Sequence, residues 1–348
     1  MKAAVFKAPG VMEIEEISVE KCRDSEVLLA VEACAICGTD IRIFEHGHKS
    51  VKPPQVIGHE IVGTIAEVGP AAKGYKKGER VTVATVVGCG KCIFCRRARY
   101  NLCVDWKALG YHWPGGFAEY VKIPSEAVRQ GNLISVDRSL DVAAAAMVEP
   151  LSCVINGQEY LHIEPGDTVL VIGAGPIGCM HAKLAQVKGA SPVYLAEISE
   201  ARLHVAKKFG FNELIPSGKV NLFEKVMSLT NGFGVDVVVV ACSAKKAQEE
   251  SLTLAAKQGR ISFFGGLPKD EPIIAFDSNA LHYRELSVFG AFASHPSQYV
   301  QALRLISSGQ FPAADFVTGT FSLSRIVEGI KTSKSAVGLK AVVLPGEG

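Results

Sequence analysis

Cys37, the pair His59-Glu60 and, far downstream, Glu149 are the side-chain types that a catalytic zinc takes: thiolate, imidazole and carboxylate. Three protein ligands and one open position would let a metal bind and polarise a substrate rather than merely staple the fold. Cys37 sits in Cys37-Gly38-Thr39-Asp40, so a hydroxyl and a second carboxylate come with it. Glu149 sits in Met147-Val148-Glu149-Pro150-Leu151. A lone histidine in an apolar stretch is more often core than ligand, so the rest of the chain has to decide. A second set, Cys89-x2-Cys92-x2-Cys95-x7-Cys103, has the density of a closed four-thiolate zinc site. Arg96 and Arg97 lie within that loop and are expected to favour the thiolates. No histidine follows at finger spacing and no basic face accompanies the cysteines, which excludes a nucleic-acid finger.

A third constellation is Gly173-Ala174-Gly175-Pro176-Ile177-Gly178. An apolar strand-like run precedes it, a helical stretch follows, and a second apolar run ends at Glu197, about twenty residues past the last glycine. Gly173, Gly175 and Gly178 would permit a tight turn and close approach to a pyrophosphate. Pro176 and Ile177 lie in the same turn, and the helical stretch that follows, 179–188, turns its N-terminus to the pyrophosphate. Glu197 would accept the ribose hydroxyls, and Arg202 lies within reach of the same sugar.

Elements must bring these residues together. The chain has 348 residues, enough for two domains, and a net charge of +2 with no basic run, which argues against nucleic acid or an anionic membrane as partner. The N-terminal stretch lacks the apolar segment of a signal peptide, and the longest apolar run, 237–242, is far too short to span a bilayer. Ten cysteines, four of them crowded together, point to metal binding in a reducing cytoplasm rather than to disulfides. Between 57 and 86, short β-branched pieces alternate with glycines, as in a small irregular β-barrel. Residues 139–161 read as helix with a break or restart at Pro150. From 166 to 290 a βαβ rhythm predicts six strands in a doubly wound parallel sheet. The run 340–344 is expected to return to the first domain, with Lys340 assigned to the cofactor. The expected division is 1–150 plus 290–348, carrying the cysteine lobe 89–103, around an inserted nucleotide domain 151–289.

Together these motifs resemble the zinc-containing medium-chain dehydrogenases, the superfamily of alcohol, sorbitol and threonine dehydrogenases, and the resemblance spans essentially the whole chain. It implies a GroES-like β-barrel catalytic domain with an inserted Rossmann domain, an α/β fold. Two zinc ions per chain are implied, with Cys37, His59, Glu60 and Glu149 at the catalytic one and the four cysteines at the structural one. Thr39 matches the hydroxyl that passes on the alcohol's proton, Asp40 an orienter of His59, and Glu149 a carboxylate that ligates zinc or holds its water. The reaction implied is hydride transfer to NAD from a secondary alcohol of a polyol or sugar derivative, in a cytoplasmic homodimer or homotetramer. L-Threonine 3-dehydrogenase and sugar-alcohol-phosphate dehydrogenase are the alternatives, and a non-catalytic NAD sensor the rival outside enzymology. The sequence departs from the pattern at Arg42, where many relatives end a proton relay in histidine, at Ile43, and at Ala293 and Ser294, where sorbitol dehydrogenases carry Arg-Tyr. Glu119, His112, His295, Trp113 and Phe292 are expected to line the substrate side.

Overall fold

The computed structural model describes residues 1–335 and 337–346, which fall into two compact units, 1–152 with 293–346, and 153–292.

The first unit is built around the strand Val27–Ala35, which is buried on nearly every residue because it has neighbours on both sides. Glu60–Val68, Tyr120–Ile123 and Lys340–Leu344 all pair with it, antiparallel. Outward from these lie Arg80–Val83 and Leu133–Ser135 on one flank and Val317–Ser322 on the other. A smaller sheet, Lys2–Ala8 between Val11–Glu16 and Gln55–Val56, completes the barrel-like core. Register explains what this sheet positions. Ala35 stands opposite Glu60 on one side and Val342 on the other. Two residues beyond Ala35 the chain reaches Cys37, so Glu60 and Lys340 converge on it from opposite neighbours. Cys37 ends the extended segment and caps the helix Gly38–His46.

The restart expected at Pro150 is present. A short helix, Val142–Ala145, is followed by Val148–Glu159, with Pro150 in its first turn. That is where a proline's missing N–H costs nothing, since those amides have no intrahelical partner.

The second unit is a six-stranded, all-parallel sheet in the order Glu213–Pro216, Val193–Glu197, Val169–Ile172, Val235–Val240, Ala255–Phe263, Ser287–Gly290. In chain order this is 3-2-1-4-5-6, the dinucleotide-binding arrangement. The central strands are almost continuously apolar and buried, as a sheet covered on both faces requires. The fold is therefore α/β, a GroES-like domain with a Rossmann sheet. Among the described residues no helix is long and apolar enough to cross a membrane.

Candidate active site

The thiol of Cys37, a ring nitrogen of His59 and a carboxylate oxygen of Glu60 lie within 4.8 Å of one another. Asp40 is fully buried and serves two masters. Its Oδ2 accepts the Cys37 amide at 2.9 Å, closing the helix N-terminus, and its Oδ1 lies 3.3 Å from His59 Nδ1. With Nδ1 facing Asp40, Nε2 is the nitrogen left to coordinate a metal. Burial pushes the His59 imidazole down, but the charges of Tyr111, Asp40 and Cys37, with the Asp40 hydrogen bond, carry it well above its ordinary value. These donors therefore call for positive charge among them, which is the electrostatic fit a divalent cation needs.

Lys340, expected at the cofactor, pairs with Glu60 beside Cys37. It is buried to 4% exposure, donates to the Ile36 carbonyl at 2.8 Å and to Glu60 Oε1 at 2.6 Å, and pairs with Oε2 as well. Burial opposes its charge, yet Glu60, Cys37 and Glu149 hold the ammonium above its ordinary value. Register brings it there: a lysine two residues from Val342 falls beside Cys37. Glu149 is buried in the first turn of its helix, and its charge is felt at Lys340. It does not belong to the group that closes to within 4.8 Å.

Thr39 Oγ1 accepts from Arg42 Nη2 at 2.8 Å. Its hydroxyl also hydrogen-bonds Tyr111, whose phenol burial pushes up to about 12. The Tyr111 ring lies 5.4 Å from that of His59 and 5.5 Å, edge-on, from His48. Sequence reasoning missed Tyr111. It sits in a loop after the lobe with no spacing that ties it to Thr39.

The four sulfurs of Cys89, Cys92, Cys95 and Cys103 form the second cluster within 4.8 Å. A tetrahedron with zinc–sulfur bonds of about 2.3 Å has edges of about 3.8 Å. Cys92 Sγ is 3.5 Å from Cys95 Sγ and 3.8 Å from Cys103 Sγ. The amides of Cys89 and Asp105 donate to the Cys103 sulfur at 3.1 and 3.3 Å. The Cys95 amide donates to Cys92 and holds that thiol down at about 6. Burial pushes Cys95 up to about 12, so the sulfurs do not all ionise without a cation among them. The expected arginine support is not what reaches them: backbone amides do, and Arg96 turns to the Lys91 carbonyl at 3.1 Å.

In the second unit Gly173 adopts φ +106, and a Cβ at Gly178 would meet the Gly173 carbonyl at 1.7 Å, so turn and helix close only on glycine. A Cβ at Gly175 would meet nothing within 4 Å, which leaves this face open to a pyrophosphate. Pro176 and Ile177 begin the helix Pro176–Val187. Glu197 is buried at its strand end, where Oε2 accepts from Ala174 N at 2.8 Å and Oε1 from Ile198 and Ser199 N at 2.9 and 3.0 Å. Arg202 Nη1 lies 3.7 Å from Oε2.

The residues expected on the substrate side make the following contacts. Glu119 accepts the Lys2 amide at 2.7 Å, and exposed His112 accepts that of Ala108 at 3.2 Å. Lys107 lies over the Trp113 ring at 5.7 Å, and Phe292 is half exposed. His295 is buried against Arg99, 3.0 Å away.

Residues 23–132 match the alcohol dehydrogenase GroES-like domain and 176–308 the zinc-binding dehydrogenase domain. An L-threonine 3-dehydrogenase of Pyrococcus horikoshii is 34% identical, over 91% of this chain and 90% of its own. A sorbitol dehydrogenase of Halalkalibacterium halodurans is 33% identical over 92% of each. A zinc-binding dehydrogenase structure from Sinorhizobium meliloti bound to NADP superposes with a TM-score of 0.92 at 29% identity, over 99% of both chains. The chain belongs to the zinc-containing medium-chain alcohol and polyol dehydrogenases. It is an oxidoreductase whose cofactors are zinc and a nicotinamide dinucleotide.

Proposed function

We propose that the protein oxidises a secondary alcohol carrying further hydroxyls, a polyol or sugar derivative, to a ketone with NAD. The observation that carries this is the charge at the first cluster: two carboxylates, Glu60 and Glu149, and a buried ammonium, Lys340, surround the Cys37 and His59 donors. Such a shell is hard and hydrophilic and suits exchangeable oxygen ligands better than an alkanol's apolar tail. Cys37 and His59 would hold zinc, with Glu60 and Glu149 exchanging near it. Bound there, the metal supplies Lewis acidity that favours ionisation of the substrate alcohol. Thr39 takes the departing proton, Asp40 keeps His59 oriented, and Tyr111 and Arg42 fix the Thr39 hydroxyl. The lobe at 89–103 would hold a second, structural zinc.

The Gly173–Gly178 turn takes the pyrophosphate. Glu197, anchored by three amides beside it, favours the free ribose hydroxyls of NAD and repels a 2′-phosphate. The Sinorhizobium relative carries NADP, so kcat/KM for the two cofactors is the deciding measurement. A clear NADP preference would remove Glu197 from this role. We place the protein in the cytoplasm as a homodimer or homotetramer. The edge strand Ser287–Gly290, which among the described residues pairs on one side only, supports pairing across a two-fold axis. Light scattering that returns a monomer at micromolar concentration would exclude it.

A second reading, an alcohol bearing a carboxylate or phosphate such as threonine or a sugar-alcohol phosphate, is favoured by Arg42. Its guanidinium touches Thr39, and among the described residues no carboxylate pairs with it. A dehydrogenase screen separates the two: hexitols, inositols, threonine, butane-2,3-diol, sugar-alcohol phosphates and simple alkanols, followed by NADH formation. A best kcat/KM on ethanol or another unsubstituted primary alcohol, with polyols inert, would sink the polyol reading.

A further inference from the structure

We propose that the four-cysteine lobe positions Glu149 through Arg99, His295, Ser294 and Ser152, an inference that rests on the reading of Glu149 as a member of the metal site. Arg99 lies between Cys95 and Cys103, so its backbone is set by the lobe. Its Nη1 is 3.0 Å from His295 Nε2. A guanidinium can only donate, so Nε2 accepts, while Nδ1 lies 3.0 Å from Ser297 Oγ. His295 N in turn donates to Gln298 Oε1 at 3.1 Å. Ring and backbone are thus both pinned at a residue only 7% exposed.

The next residue back carries the constraint inward. Ser294 Oγ lies 2.7 Å from Ser152 Oγ, and Ser152 Oγ donates to the Glu149 carbonyl at 2.6 Å. Ser152 has one proton and commits it to Glu149, so Ser294 is the donor in the serine pair. Both serines are buried, Ser152 completely. This contact falls on the helix turn that holds Pro150, the turn that aims the Glu149 side chain. Ala293, immediately before Ser294, has φ +50, a left-handed conformation that a residue with a Cβ keeps only when its surroundings enforce it. The Arg99–His295 contact is such an enforcement. The cysteine lobe is then more than a fold staple: a metal bound there holds Arg99 still, and Arg99 holds the segment against which the Glu149 turn rests.

The test uses the full-length zinc enzyme and Arg99→Met, Ser294→Ala, their combination, and Glu149→Gln. Two readouts are taken: kcat and KM, and the absorption band of protein with cobalt(II) exchanged into the Cys37/His59 site. Arg99→Met and Ser294→Ala should each lower kcat about tenfold with KM changed less than about twofold, and the combination should be no worse than the poorer single. Each should move the cobalt band as Glu149→Gln does, with the lobe metal retained. Ser294→Ala leaves the lobe untouched, so its band decides the matter if Arg99→Met sheds metal. Multiplying effects, or a band that moves in Glu149→Gln but in neither of the others, overturns the coupling alone. A band and kcat indifferent to Glu149→Gln overturn the reading of Glu149 and this inference with it.

Discussion

The two metal-ligand clusters share a unit but are assembled in opposite ways. The four cysteines come from one stretch of fifteen residues, 89–103, and their sulfurs are satisfied by amides of the same loop. The Cys37 cluster is gathered from residues 37, 59, 60 and 340, delivered by three paired strands. It also contains its own counter-charge, Lys340, paired with Glu60, whereas the lobe's arginines turn elsewhere, Arg96 to the Lys91 carbonyl and Arg99 to His295. A local cluster can be all ligand and closed. A cluster built by topology can mix ligands with charges that compete for them.

The sharpest contrast comes from one cysteine in each. Cys37→Ser should cut kcat by at least about 10³-fold, since several kcal/mol of Lewis-acid stabilisation go with the metal, while the melting temperature stays near that of the parent. Cys95→Ser should instead cost one metal ion and lower the melting temperature by more than about 5 °C. Metal analysis and calorimetry on both variants check this. Equal loss of stability in the two would erase the distinction between the clusters.

Lys340→Met should destabilise the zinc-free protein by about 3–5 kcal/mol, because Glu60 is left buried without a partner. Zinc should restore part of that, since Glu60 can then turn to the metal. Urea unfolding with and without a chelator measures both numbers. Equal losses in the two conditions would mean that Glu60 and the metal do not communicate.

A third buried polar centre, in the other unit, gives the comparison a control. His181 is fully buried against Phe264 and hydrogen-bonded to Gln158, and burial, aided by Lys188, pushes its imidazole down to about 3. His59, equally enclosed but ringed by anions, moves the other way. Unfolding frees His181 to protonate near its ordinary value, so its contribution to stability is complete above about pH 6.5 and drains away as pH falls towards 3, by about 2 kcal/mol at pH 5. His181→Gln should flatten the pH dependence of the melting temperature between about pH 7.5 and 5 relative to the parent. Parallel pH curves would exclude His181 as a source of acid lability. The smallest effect should be that of Tyr111→Phe, which removes one hydrogen bond to Thr39 and keeps the ring. We expect kcat to fall about tenfold, with KM little changed. A rise in KM alone would make Tyr111 a binding residue instead.

What was legible in the sequence tracks this same contrast. The cysteine lobe and the Gly173–Gly178 turn were readable because their chemistry is written in consecutive residues, and the six parallel strands of the second unit followed from its βαβ rhythm. Cys37, His59 and Glu60 were reachable as residue types. The Glu60–Lys340 pair was not, because it joins positions 280 residues apart through strand register alone. Arg99 and His295, 196 residues apart, are of the same kind. Tyr111 was hidden for a different reason: a tyrosine in an irregular loop has no periodicity to say what its hydroxyl meets.

The strand Lys340–Leu344, parallel to Val317–Ser322 and antiparallel to Val27–Ala35, sets an order on biosynthesis. Residues 153–292 leave the ribosome as a complete sheet before the first unit has its closing strand. A growing chain therefore carries a finished dinucleotide fold beside a half-made barrel in which Glu60 has no ammonium opposite it. A metal held by Cys37 and His59 would then be expected to load last, after translation has passed residue 340. In pulse-labelled chains, protease resistance should reach the second unit first, and a chelator should delay only the resistance of the first.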